Sequence, residues 1–315
     1  PAFGAFISDA KGVLWRDAVE VAEALGRGGD VVVLGTAEGQ HGLDPIASLQ
    51  PTQVASVLRS VLRQMGGGES QDSFWPDMAA TVLRHALTIG LAYGATPAGQ
   101  AESERTGVNP YSLWWAYQAV VSRDGLKPVL AALEQEREAW RARVVAAEKK
   151  GDKTAAADLV AQFTATFSAD LAASIRYMSG AWPEMAEETR TGIIANTTQL
   201  LDGFSGARTL RERFASGTRA DSIDLRRALD GGIVLNALST IEDGLPARLT
   251  AILIKTALYR EARVRETRWQ ASADKGSPQD RPCLVLMDEV QELATVDPSS
   301  GLSDASFWNV ARSTG

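Results

Sequence analysis

The residues with the most chemistry to offer stand at 281–291, Arg-Pro-Cys-Leu-Val-Leu-Met-Asp-Glu-Val-Gln, where four apolar side chains run straight into the carboxylates of Asp288 and Glu289. A short continuous apolar run is the mark of a buried parallel strand, and α/β folds place ligands at the carboxyl ends of such strands. This is the pattern of a Walker B strand. In that role Asp288 would hold the water shell of a Mg²⁺ bound to nucleotide phosphates, and Glu289 would polarise the water that attacks the γ-phosphate. Apolar strands ending in an acidic pair also occur in unrelated folds, where the pair serves as an N-cap or an ion pair.

An α/β framework is expected to position these residues. Phe3 to Ile7 reads as a strand, followed by Ser8-Asp9-Ala10-Lys11-Gly12 and an amphipathic run from Val13 to Leu25, with Leu14, Ala18, Val21, Ala22 and Leu25 toward a sheet. Val31 to Leu34 is a second strand. A Gly- and Pro-rich loop then leads to a helix over Pro51 to Met65, stopped by Gly66-Gly67-Gly68. From Phe74 to about Phe214 only helical segments are legible: Asp77 to Tyr93, Tyr111 to Val121, Lys127 to Lys150, Lys153 to Met178 and Pro183 to Leu201. Strand character returns at Gly231 to Leu238, followed by a long helix from Leu245 to Trp269, a polar linker from Ala271 to Asp280, and the strand beginning at Cys283. That last unit reads as strand, helix, strand with a right-handed crossover. The division expected is 1–65 and 223–315 for the two parts of an α/β domain, and 66–222 for an inserted all-α domain.

Composition excludes several classes. With 45% apolar and 23% charged residues in 315, the chain is of globular type, without internal repeats. No stretch approaches 18 uninterrupted apolar residues, and no secretory signal pattern opens the chain. The net charge of −7 argues against an overall basic nucleic-acid coat, although a ring-shaped motor can line its channel with a few cations. Cys283, the single cysteine, reads as a small hydrophobe in the buried strand, and His41 and His85 lack metal-ligand spacing. Arg260, Arg263, Arg265 and Arg268 lie toward the end of the long helix, where cations complement the macrodipole; a DNA-channel role is the other reading. The aromatics of the helical block, among them Trp75, Trp115 and Trp182, are expected mostly in packing.

Taken in order, these segments resemble the nucleotide-binding part of type IV secretion coupling proteins, the TraD/TraG-like conjugative DNA translocation ATPases related to FtsK-type translocases. The matching stretches are Asp9-Ala10-Lys11-Gly12, the strand Val31 to Leu34 with Asp44-Pro45 beyond it, the helical block opening at Phe74-Trp75, Gly231 to Leu235, and Leu284 to Glu289. The closing Ala311-Arg312-Ser313-Thr314-Gly315 resembles the family's segment just after Walker B. The resemblance covers most of the chain, although the helical insert matches only in position and character. It implies a RecA-like P-loop NTPase-type parallel sheet with a large inserted all-α domain, ATP and Mg²⁺ as cofactors, and a homo-hexamer. It also implies DNA, relaxase or relaxosome proteins and secretion-channel components as partners, at the cytoplasmic face of the bacterial inner membrane. Lys11 is expected near the nucleotide crevice, the alternative being a plain helix-start residue. Arg312 is expected to reach a neighbouring subunit's γ-phosphate, the alternative being a surface arginine.

The sequence also departs from that family. It holds no Gly-x-x-x-x-Gly-Lys-Ser/Thr; Lys11, Lys150 and Lys275 adjoin glycine in the reverse order. The expectation is an internal fragment, inactive alone, with the phosphate cradle and membrane anchor before Pro1 and a glutamine-bearing strand after Gly315. A non-catalytic adaptor that binds secretion substrates through its helical domain is the competing reading. A chromosome-partition or filament-type ATPase is not expected to carry so large a helical insertion.

Overall fold

The computed structural model describes residues 3–65, 73–122, 124–151, 153–217, 219, 222–271, 282–295 and 303–309. The chain divides into two compact units, Pro1–Ser73 with Gln199–Gly315, and Phe74–Thr198. The described residues between 199 and 222, grouped by the sequence with the insertion, thus belong to the sheet-bearing unit.

The sheet-bearing unit opens with β1 (Gly4–Asp9), α1 (Leu14–Ala24), β2 (Val31–Leu34) and α2 (Pro51–Met65). After the helical unit come β3 (Ile233–Asn236), a long helix (Gly244–Ala271), β4 (Cys283–Asp288) and two short helices, Val290–Leu293 and Asp304–Trp308. All strand pairs are parallel, in the order β2-β3-β1-β4. The two neighbours of β1 are therefore strands more than 200 residues away: Ala5 stands opposite both Ile233 and Leu284. β3 and β4, read from sequence as consecutive strands of one crossover, are separated by β1. Central position fits the composition of β1, in which Phe6 is fully buried and a Cβ on Gly4 would fall 1.8 Å from the Ala228 carbonyl oxygen.

α1 covers one face of the sheet with Trp15, Ala18, Val19 and Ala22 against Ala5, Ile233 and Leu235. These follow the i, i+3, i+4, i+7 rule of a helix stripe. Val21, expected on that face, is exposed because it lies to one side of the stripe, and Leu25, also exposed, is the C-cap residue beyond the end of α1 at Ala24. α2 buries Val54, Val57, Leu58, Val61 and Leu62 as its spacing predicts. The helix Gly244–Ala271 is buried nearly all round from Ala247 to Ala262, the behaviour of a core helix rather than an amphipathic one.

β4 corrects the expectation of a strand buried on both faces. Its burial alternates, with Leu284 and Leu286 40–48% exposed, and among the described residues it pairs on one side only. An apolar run makes a central strand possible, but cover on the second face has to come from other elements.

The helical unit contains α3 (Phe74–Gly94), α4 (Pro97–Thr106), α5 (Leu113–Val121), α6 (Lys127–Lys149), α7 (Lys153–Thr166), α8 (Ala169–Arg176) and α9 (Glu187–Leu201), the last three residues of α9 belonging to the other unit. The segment read as one helix from Lys153 to Met178 is broken at Ser168, which adopts extended backbone and caps α8 by accepting from the Leu171 N–H. It then continues into a π-helical turn, Tyr177–Ala181. α4 escaped the sequence reading, although Thr96 before Pro97 is a proper N-cap and accepts from the Gly99 N–H. Tyr111, Trp115, Tyr117 and Trp182 are buried, as expected of packing aromatics. In the order of introduction, Gly244–Ala271 is α10, Val290–Leu293 is α11 and Asp304–Trp308 is α12.

Candidate functional site at the carboxyl ends of β1 and β4

Strand register sets Asp9 beside Asp288, the last residues of two adjacent parallel strands. The two carboxylates have different surroundings. Asp9 is buried and its oxygens are fully engaged: Oδ1 accepts from the Lys11 N–H at 2.8 Å, and Oδ2 from the Val13 and Leu14 N–H groups at 2.7 Å each. Burial works against the charged form, but the N–H groups of Leu14, Val13 and Lys11 outweigh it and hold the carboxyl below its ordinary value. Asp9 is thus the anionic cap of α1, stabilised further by the helix dipole. The turn it closes passes through Gly12 at φ +71°, where a Cβ would meet Ser239 and the Ala237 carbonyl at 3.0–3.2 Å, so glycine is required.

That turn aims Lys11 across to the next strand. Its Nζ lies 2.5 Å from Glu289 Oε1, with the two side chains 50% and 30% exposed. The other Glu289 oxygen accepts from Gln291 Nε2. The hydrogen bond to Glu289 chiefly raises the Lys11 pKa, with the charges of Glu289, Asp288 and Asp9 adding to it. The bonds from Lys11 and Gln291 lower that of Glu289. Both are ionised near neutrality. Glu289 is also the one non-glycine residue with positive φ among the described residues, at φ 52°, ψ 44°. For a residue with a Cβ this left-handed conformation costs about 1–2 kcal/mol. Although it occupies the N-cap position of α11, its side chain makes no capping bond. Of the two plain alternatives for the acidic pair, Glu289 therefore takes the ion pair and not the cap.

Asp288 is exposed, and its Oδ1 accepts the N–H of Glu289, at 3.0 Å. No group of three or more His, Cys, Asp or Glu side chains converges to hold a metal among the described residues. These residues do not make an all-protein cage; of them, the exposed Asp288 carboxylate is the one that a Mg²⁺ keeping its own waters would use. Lys11, Asp288 and Glu289 are thus brought together, whereas Arg312 lies outside the described residues. Of the polar linker read from Ala271 to Asp280, residues 272–280 lie outside them too, and Ala271 ends the long helix.

The arginine cluster of α10 does not form an exposed basic stripe. Arg265 is buried, Arg260 pairs with Glu261 at 2.8 Å, and Arg263 donates to the Ser306 carbonyl at 3.0 Å; the Arg268 side chain lies outside the described part. Cys283 is half-buried, and burial pushes its thiol up to about 11. His41 joins the β2 edge through its backbone, and His85 packs on Tyr177 with rings 4.3 Å apart.

Two arrangements in the sheet-bearing unit escaped the sequence reading. Arg213 donates to the carbonyls of Gly35, Ala37 and Gln40 at 2.7–3.0 Å and so ties down the loop after β2. Lys255, fully buried on α10, pairs at 2.7 Å with Asp304, which also accepts from Tyr259 and from both donors of Thr295. Burial lowers the Lys255 pKa against the pull of Asp304. A lone lysine inside an apolar helix pattern is the only hint the sequence offers of this cluster.

No family model, curated protein or solved structure matches the chain. No helix among the described residues is long and apolar enough to cross a membrane.

Proposed function

We propose that this chain is the nucleotide-hydrolysing part of an ATP-driven translocase of the type IV secretion coupling kind, with a RecA-like sheet that carries a helical insertion. The observation that carries the reading is Glu289: a carboxylate at the end of a parallel strand, in strained left-handed backbone, poised by Lys11 beside Asp288. Strained residues of this kind cluster at active sites, because the surrounding structure must force them. In this reading Glu289 orients and activates the attacking water, Asp288 holds the water shell of Mg²⁺, and Lys11 sits within reach of a nucleotide phosphate. ATP and Mg²⁺ supply the transferred phosphoryl group and its charge neutralisation. DNA or nucleoprotein is the cargo, passed to a secretion channel at the inner membrane by a hexamer in which Arg312 serves the neighbouring subunit.

The test is Glu289→Gln in the full-length protein, which is isosteric and removes only the charge. ATP turnover, stimulated by DNA in the parent, should fall at least about a hundredfold while ATP binding persists. Parental turnover in that variant sinks the assignment.

An adaptor reading draws on two other observations. The chain holds no phosphate-cradle motif, and the helical unit has a groove of about 530 Å³ lined by residues such as Lys127, Met178, Trp182, Arg190 and Ile194. An adaptor would bind secretion substrates equally well with and without Glu289→Gln, and without ATP.

A further inference from the structure

The short helix α11 follows directly on Glu289 and ends in carbonyls that have no partner within the helix. Four residues cannot hold a helix by themselves, so its direction depends on what grips that end. Three consecutive carbonyls are gripped, each by a different side chain. The Glu292 oxygen accepts from Arg248 Nε at 2.8 Å, the Leu293 oxygen from Lys255 Nζ, and the Ala294 oxygen from Gln64 Nε2 at 2.9 Å. Arg248 Nη2 in turn donates to Gln64 Oε1 at 3.3 Å. Arg248 and Lys255 lie seven residues, two turns, apart on α10 and so share one face. Leu293 is fully buried between these donors, and the Asp304 carboxylate fixes the following Thr295.

We propose that Arg248 and Lys255 are positioning residues for Glu289, clamping the far end of α11 so that Lys11 and the backbone at Glu289 set the near end. Cations suit this place, because helix C-terminal carbonyls carry partial negative charge. The inference rests on the reading of Glu289 as the water-orienting carboxylate. It adds the element that keeps this residue in its strained conformation.

The test is Arg248→Ala in the full-length protein, beside Arg248→Lys, Lys255→Met and Glu289→Gln. Arg248 is only partly buried, so its variants fold even where Lys255→Met does not. Amide hydrogens of 289–295 should exchange about tenfold faster in Arg248→Ala, with α3 and α5 unchanged. The kcat should fall about ten- to a hundredfold with KM for ATP within about twofold, because a misplacement near 1 Å costs that much, and Arg248→Lys should recover part of it. Unchanged exchange at 289–295 overturns the clamp. So does parental kcat in Arg248→Ala when Glu289→Gln is inactive. Should Glu289→Gln itself turn over normally, the functional reading fails and the exchange result alone decides the clamp.

Discussion

Replacing Asp9 by Asn tests how the site is built, since it changes one buried oxygen into an NH₂ group. The parent carboxylate accepts three backbone N–H groups, from Lys11, Val13 and Leu14. Asn keeps a single acceptor, so at least one N–H group faces a donor, and the charge that complements the start of α1 is lost. Hydrogen bonds to charged groups are worth about 1.5–3 kcal/mol each and the helix-end charge about 0.3–1 kcal/mol, which puts the loss at about 2–4 kcal/mol. Acid should narrow the gap. The folded-state pKa of Asp9 is lowered, so its contribution is complete above the unfolded value, near 3.9, and is lost as pH falls through the folded value. Urea unfolding gives the size of the effect, and hydrogen exchange in α1 peptides reads the sheet-bearing unit apart from the helical one. A variant within about 0.5 kcal/mol of the parent at neutral pH, or a gap that stays constant into acid, refutes the capping argument.

Glu289→Gly should keep or slightly raise stability, because relief of left-handed strain offsets the loss of an exposed, solvent-screened ion pair; a clearly lower urea midpoint contradicts this. Lys11→Met should leave the urea midpoint nearly unchanged, with any difference shrinking further in high salt. His85, whose pKa burial and the neighbouring Arg84 charge lower to about 4, should make the helical unit less stable as pH falls from about 6.5 toward 4. Its buried imidazole must then charge, and a His85→Gln variant melted across the same range should lack that slope. Cys283 should react with iodoacetamide at pH 8 at least about tenfold more slowly in the folded chain than in urea, because its thiol is held near 11; equal rates, read by mass spectrometry, would show the thiol to be unprotected.

Local pattern alone placed β2 and α2 at their observed limits and identified the last strand with Asp288 and Glu289 at its end. Those features depend on neighbours a few residues apart: alternation or 3.6-residue spacing, glycines, and the shift from apolar to acidic residues. Proximity within the chain could not order the sheet. β1 pairs with strands that follow 224 or more residues later, and parallel pairing leaves no hairpin turn to announce the partner. Nor could it bring Lys11 to Glu289, give Asp9 its capping role, or bury Arg265 of α10, because each depends on which elements lie beside which. The sequence determined that carboxylates would end a strand. Tertiary structure decided their company, a lysine from the neighbouring strand's turn and a clamp from a buried helix, since charge and hydrogen bonding act across space and not along the chain.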